Sequence, residues 1–358
     1  MSKTVAEIVS TIAASVQLDK AAEWDPVGLQ LGDPRASVQG VAVCHEVTPE
    51  LLRRVIAAEV DLLVSYHPLL FRPVTKLVSG PGPAGRAFDL IANGIALVVV
   101  HTAFDIMAGG SADALAAALN LTNITGFGPA WGRDAVKIVT FVPPAAADDV
   151  ADAMANAGAG AIGSYSNCSF RSEGVGVFHP AASASPHVGV VNSLNYEPEV
   201  RLEMIAPETD VDLVVAALVR AHPYEEPAYD VVPTRSNAGF IGRQGTLEEP
   251  MPVATLADRV SDRLGGTVRV AGSGMVHNVA VVPGSGGAFL GQTDADVVVT
   301  GDVNHHQARA ATARGVAVID PGHAATERPG AQALYALIAK SVDAIDMTHI
   351  DQDPWKER

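Results

Sequence analysis

Cysteine is nearly absent from this chain: Cys44 and Cys168 are its only two, and they lie far apart. No disulfide framework can be built from them, and a reducing, cytoplasmic setting is the simpler expectation. Aromatic residues are scarce as well, 5% of 358, so the core has to come from Ala, Val, Leu and Ile, a composition that suits buried sheets covered by helices. Positive charge is short, with 24 Lys and Arg against 40 Asp and Glu and a formal net charge of −16. That balance opposes general affinity for phosphate backbones and anionic membrane surfaces, which makes nucleic acid an unlikely partner. No apolar run has the length needed to span a bilayer. Near the start, Val5, Ile8, Val9, Ile12, Ala13 and Val16 recur at helical spacing while Glu7 and Asp19 interrupt any signal-like stretch, which predicts an amphipathic helix that stays on the protein. What is plentiful is aliphatic: 48% hydrophobic residues against 18% charged, in a chain long enough for two or three domains with cores of their own.

Val38-Gln39-Gly40-Val41-Ala42-Val43-Cys44 reads as a strand. Thr48-Pro49-Glu50 then supplies an N-cap, a first-turn proline and an early carboxylate for a helix with Leu51, Val55, Ile56 and Val60 on its apolar face. Asp61-Leu62-Leu63-Val64-Ser65 is a second strand, ending in Tyr66-His67-Pro68, and after a helix around Ala87 to Ala92 the run Ile95-Ala96-Leu97-Val98-Val99-Val100 leads straight into His101. The last third repeats this grammar with strands at Val276 to Val282, Asp296 to Thr300 and Val316 to Ile319, followed respectively by Gly-rich, Gly301-Asp302 and Gly322-His323 segments. Strands alternating with helices imply a parallel sheet covered on both faces. The expected fold class is α/β, with two related halves, residues 1–133 and 235–350, forming one core domain, and a polar tail at 351–358. Residues 134–234 carry strand, helix, strand, helix, strand signals of a different kind, with loops at Gly158 to Gly160, Gly163-Ser164 and Ala181 to Ser185, and predict an inserted ferredoxin-like α+β domain.

Polar residues just past the C-terminal ends of parallel strands project into the crevice where such sheets bind ligands. His101 with Asp105 and His323 with Glu327 are imidazole-carboxylate pairs of identical spacing, one in each half, and His67 follows a third strand. A single match of this kind is more often an ordinary pair on a helix surface. Repetition at strand ends in both halves points instead to one shared divalent-metal site. Glu327 is the natural bridging carboxylate for two ions, which in two-metal hydrolases sit roughly 3.5–4 Å apart. Zn, Fe and Mn all suit such donors, and the residues do not distinguish them.

Six motifs in order carry a family resemblance: Glu23-Trp24-Asp25-Pro26-Val27-Gly28-Leu29-Gln30-Leu31-Gly32-Asp33, Tyr66-His67-Pro68-Leu69-Leu70-Phe71, His101 through Asp105, Pro283-Gly284-Ser285-Gly286-Gly287, Thr300-Gly301-Asp302 with His306, and Gly322-His323-Ala324-Ala325-Thr326-Glu327. Together they resemble the NIF-three-like family, whose members are labelled GTP cyclohydrolase 1 type 2 homologues. His222-Pro223-Tyr224-Glu225-Glu226-Pro227-Ala228-Tyr229-Asp230 looks like the signature of the PII/CutA-like insert of longer members. The resemblance implies two divalent metal ions per subunit, held here by His67, Asp105, His323 and Glu327, in a ring-shaped homohexamer with its sites facing the cavity. One position departs from the pattern: Tyr66 stands where members carry a histidine. A phenol, with an ordinary pKa of about 10, is a poor ligand unless the ion drives off its proton. Phenolate ligation by Tyr66, His101 or water in the vacancy, and a weakly held second ion are the open outcomes, the second being preferred. His306, beside His305, matches a position expected to shape the cleft as an orienting neighbour. Gly284 to Gly287 either cradles a phosphate at the start of a helix or, more simply, makes a tight turn. Tyr224-Glu225-Glu226, flanked by prolines, reads first as a rigid turn, and Cys44 as a small core residue.

Two functions follow as expectations. One is a metal-dependent hydrolase acting on nucleotide-like or phosphate-containing small molecules; the family label points to GTP, an analogy only. The other is a non-catalytic, ring-forming protein that stores, delivers or senses metal ions.

Overall fold

The structure is a computed structural model, and it describes residues 3–132, 135–162, 165–234, 236–350 and 353–355. The tail expected at 351–358 therefore lies outside the described residues apart from 353–355, as do the loop residues 163–164 and the boundary positions 133–134 and 235. Contacts divide the chain into two compact units, Met1–Ala130 together with Asn237–Arg358, and Trp131–Ser236.

The first unit has the α/β character read from the sequence. Val41–Cys44, Leu62–Ser65 and Ala96–Val99 pair in parallel and are buried along their whole length, as near-continuous aliphatic runs require. Gly28–Leu31 joins one edge antiparallel and Ile345–Asp346 the other in parallel, giving a five-stranded sheet. A second parallel set, Met275–Ser285, Val297–Gly301 and Ala317–Asp320, lies in a six-stranded sheet with Arg269–Ala271, Ser236–Pro252 and Thr122–Gly132. Local chemistry starts the helices where the sequence predicts. Thr4 and Glu7 form a reciprocal capping box on Val5–Val16, and the Thr48 hydroxyl accepts the Leu51 N–H at 3.1 Å to open Pro49–Ala57.

The helix His323–Ile338 belongs to both cores. Leu334 and Ile338 pack in the apolar cluster of Val43, Val64 and Val98 from the five-stranded sheet, while Ala325 packs with Val279, Val281 and Val299 from the six-stranded one. Its first turn is thereby set between strand ends of the two halves. Among the described residues no helix is long and apolar enough to cross a membrane.

In the second unit, Ala135–Val142, Ser169–Phe178, Asn195–Pro207 and Tyr229–Pro233 alternate with the helices Ala147–Asn156 and Val211–Ala221 in a β-α-β-β-α-β order. All pairings are antiparallel, and the strands lie in the order fourth, first, third, second. Both helices cover one face, burying Ile138, Val150, Met154, Leu202, Val214 and Leu218. Ser169–Phe178 is a strand the sequence reading lacks. It is an edge strand exposed along nearly all of its length, so no buried face marks it with apolar alternation.

Leu334 is fully buried, and Leu334→Ala should lower the unfolding free energy by about 2–5 kcal/mol through lost burial and a residual cavity. Urea titration of both proteins measures this, and a loss under about 1 kcal/mol would show that the shared helix is not anchored there.

Candidate metal centre

Three adjacent strand ends deliver the first group of side chains. Val41–Cys44 runs into His45, Leu62–Ser65 into Tyr66 and His67, and Ala96–Val99 into Val100 and His101. Their ladder continues past the strands: Tyr66 N donates to Cys44 O at 3.0 Å, His67 N to His45 O at 2.9 Å, and His101 N to Tyr66 O at 2.9 Å. The polar residues are thus held in register where the apolar runs stop. His101 has a left-handed φ of 25°, a conformation that costs a non-glycine residue on the order of 1–3 kcal/mol. The buried carboxylate of Asp25 restrains it, accepting from His101 Nδ1 at 2.9 Å, from Thr102 N at 3.0 Å and from the Thr102 hydroxyl.

The second half contributes His323 and, one helical turn later, Glu327. Glu327 is only 4% exposed. Its Oε2 lies 2.9 Å from both His45 Nε2 and His67 Nε2, and its Oε1 lies 3.1 Å from His323 Nε2. Burial opposes its charge, but the charge of His67 and hydrogen bonds from His323, His45 and His67 prevail and hold the carboxyl well below the usual range. His323 also meets Asp302 Oδ2 through Nδ1 at 2.7 Å. The bond to Glu327, against an opposing effect of burial, and then the charges of Glu327 and Asp302 push the His323 imidazole up to about 9.

Gly284 makes room for this carboxylate. Its φ is 61°, and a Cβ there would fall 2.4 Å from Glu327 Oε1. Its N–H donates to Thr326 Oγ1 at 2.8 Å, and Gly286 N–H donates to Thr300 Oγ1 at 2.9 Å, pinning the turn. Residues 287–291 continue as turns, so the helix that a phosphate cradle would need does not follow Gly287.

Tyr66 is fully buried. Its hydroxyl makes a short hydrogen bond to Asp105 Oδ1 and lies 3.3 Å from Ser111 Oγ. Burial, and then the charges of Asp105 and Glu327, push the phenol well above its ordinary range. Asp105 rises to about 7, through burial first, with the Tyr66 bond lowering it and the Glu327 charge raising it. The Tyr66 hydroxyl donates to Asp105 and so orients its carboxyl.

His45, His67 and Glu327 bring donor atoms within 4.8 Å of one another. His45 was missed in the sequence. It follows the first strand as His67 follows the second, but it has neither the acidic residue four positions later that marks His101 and His323 nor a place in the motif that marks His67. Its ring stacks on Tyr66 with centroids 5.4 Å apart. Among the sequence-marked residues, His67, His323 and Glu327 meet directly, and Asp105 joins them through Tyr66 and the electrostatic influence of Glu327. His101 places its ring 5.1 Å from that of His67 while its Nδ1 is committed to Asp25. His306 is exposed, 5.4 Å from the His305 ring, and is not among the described residues lining the cavity at the site. That cavity, about 400 Å³, is walled by His45, His67, His101, Phe71, Asp302 and Trp355 among others.

Imidazoles gathered on a buried carboxylate, with a second carboxyl raised by burial and then by the first one's charge, are a donor set that fits a borderline divalent cation. Fold and site together define an α/β protein with a candidate metal centre at the C-terminal ends of parallel strands. The profile of the Duf34/NIF3 (NGG1p interacting factor 3) family matches residues 3–354, and the chain belongs to that family. A Bacillus subtilis protein named GTP cyclohydrolase 1 type 2 homolog is 39% identical over 85% of this chain and 83% of its own. A Mycobacterium tuberculosis relative of the same name is 36% identical over 99% and 97%. Among solved structures, a Bacillus cereus protein related to NIF3 covers 100% of both chains at 33% identity with a TM-score of 0.69. A Staphylococcus aureus protein covers 100% of this chain and 99% of its own at 25% identity, with a TM-score of 0.77.

His45→Ala should weaken divalent-metal affinity by about tenfold to a hundredfold, and Gly284→Ala should weaken it with no donor removed. Competition against a chromogenic chelator reads both, and unchanged affinity in His45→Ala would remove that residue from the site.

Proposed function

We propose that this protein holds two divalent ions around Glu327 and uses them to hydrolyse nucleotide-like or phosphate-containing small molecules. The observation that carries the reading is the division of one buried carboxylate, with Oε2 turned to His45 and His67 and Oε1 to His323. His45, His67 and Glu327 would hold one ion, and His323 with Glu327 the other, with Asp105 oriented alongside by Tyr66. Divalent ions in such a place supply Lewis-acid polarisation of a substrate oxygen or of water. The chain's own contribution is to keep Glu327 ionised, to fix His101 through Asp25, and to offer aromatic faces for a planar base. Phe71 lines the cavity, with Trp24 5.8 Å from Phe71 and 6.3 Å from His101. The relatives' name, GTP cyclohydrolase 1 type 2 homolog, supports a nucleotide as the first substrate class to try.

A second reading, a non-catalytic metal-binding ring of six subunits, is favoured by one feature. Among the described residues lining the cavity there is no Lys or Arg to meet a phosphate. In either reading the β-α-β-β-α-β order of the second unit supports a PII/CutA-like assignment for it.

Metal content by mass spectrometry, then turnover on a panel of nucleotides and phosphate esters, separates the readings when wild type is set beside Glu327→Ala. Joint loss of metal and of a measurable wild-type turnover is the expected result. Loss of metal with no wild-type turnover on any substrate would favour the ring.

The two ions should differ in affinity, because one faces two imidazoles and the other must displace the proton of His323. Below about pH 9 His323 is mostly protonated, so proton and metal compete. Affinity of the weaker position should rise about tenfold per pH unit and level off above that value. Two equal sites with no pH dependence between 7 and 9, measured by calorimetry at about those pH values, would refute the assignment of His323.

A further inference from the structure

The second unit contains a cavity of its own, on the sheet face turned away from its helices. Ile138, Val142, Val200 and Leu202 point to the helices, so the alternating positions Phe141 and Glu199 point to the other side. About 300 Å³ of space lies there, near the lower end for small-molecule sites. Phe141, Phe178, Pro180 and Val188 provide an apolar wall. The polar end is made of Glu199, Tyr224, Glu225 and Glu226, with one imidazole, His187, whose ring lies 6.2 Å from that of Tyr224.

The arrangement is built rather than incidental. Gly176, on the neighbouring strand, clears space for Glu199, since a Cβ there would fall 2.2 Å from the Glu199 carboxylate. Tyr224 donates its hydroxyl to Glu199 Oε1 at 2.9 Å. Its own backbone N–H donates to His222 Nδ1 at 3.1 Å, and buried His222 is anchored through Nε2 to Phe141 O at 3.0 Å. In the segment that lines the cavity through Ala184, Pro186 and Val188, Ser185 N donates to Glu225 Oε1 at 2.9 Å, and just beyond it the buried Asn195 side chain holds Val190 through N–H and C=O at 2.7 and 3.0 Å.

Three carboxylates and the aromatic rings of Phe141, Phe178 and Tyr224, with no Lys or Arg among the described lining residues, disfavour an anion and favour a cation. The Phe141 ring already meets one cation within the chain, since the Arg201 guanidinium sits 5.7 Å from its centroid. We infer that this cavity binds a small organic cation, an ammonium or guanidinium group carried on an apolar body. The charged head would meet Glu199 and its neighbouring carboxylates, and the apolar body the wall of Phe141, Phe178 and Val188. Charge-assisted hydrogen bonds to a partly buried carboxylate are the strong kind, so the head decides affinity and the body decides fit.

Calorimetry on the full-length protein with three probes of one shape tests this: phenethylammonium, 2-phenylethanol and 3-phenylpropionate. The ammonium should bind, the alcohol at least tenfold more weakly, and the carboxylate not detectably. Glu199→Gln, which keeps the shape and removes the charge, should weaken the ammonium at least tenfold with its melting temperature preserved. Should that variant fold poorly, the exposed Glu226→Gln replaces it, with a smaller but measurable weakening expected. Protein stripped of metal should bind the ammonium as native protein does, which separates this cavity from the metal centre. Absence of ammonium binding at millimolar concentration, equal binding of the alcohol, or undiminished binding in a folded charge-removing variant would overturn the inference.

Discussion

A carboxylate taken out of water costs several kcal/mol unless charged or hydrogen-bonding partners come with it. At Glu327 those partners come from three separate places in the sequence: His45 and His67 at two strand ends of the first half, and His323 one helical turn before it. The site can form only when both halves are folded against the helix His323–Ile338. That helix is seated by Leu334 and Ile338 in one aliphatic core and by Ala325 in the other. Gly284 completes the constraint from the second half, because any side chain there would occupy the carboxylate's place. Fold and site are therefore one problem here, and packing of alanine, valine and leucine sets the position of a charged group at some distance along the helix.

Tyr66 and His45 show how donor and scaffold roles are distributed within such a cluster. The phenol is buried, is pushed well above its ordinary range, and donates a hydrogen bond to Asp105. The imidazole stacked on it, His45, reaches Glu327 instead. An imidazole beside Glu327 is thus supplied from the neighbouring strand, where the parallel ladder puts residue 45 next to residue 67.

The acidity of the chain has a local expression in both units. The cavity at Glu327 and the cavity at Glu199 are each lined with carboxylates and aromatic rings, and among the described lining residues neither carries Lys or Arg. Their chemistry differs in burial and in donors. Imidazoles crowd the first and suit a metal ion, whereas apolar walls dominate the second and suit an organic cation.

The sequence by itself determined the alternation of buried strands and capped helices, because aliphatic runs and N-caps act over a few neighbouring residues. It likewise marked His67, His323 and Glu327, since strand ends in such sheets are where ligands bind. It did not show the edge strand Ser169–Phe178, which buries too little to leave a pattern, nor His45, which has no acidic residue at the repeated spacing and lies in none of the motifs. Tertiary structure alone decided that His45 meets Glu327 across 282 positions, that His101 turns to Asp25, and that Gly284 must lack a side chain. The physical reason is range: local periodicity records which face of an element is buried, while contacts between elements depend on how two cores pack, and no short window of sequence contains both.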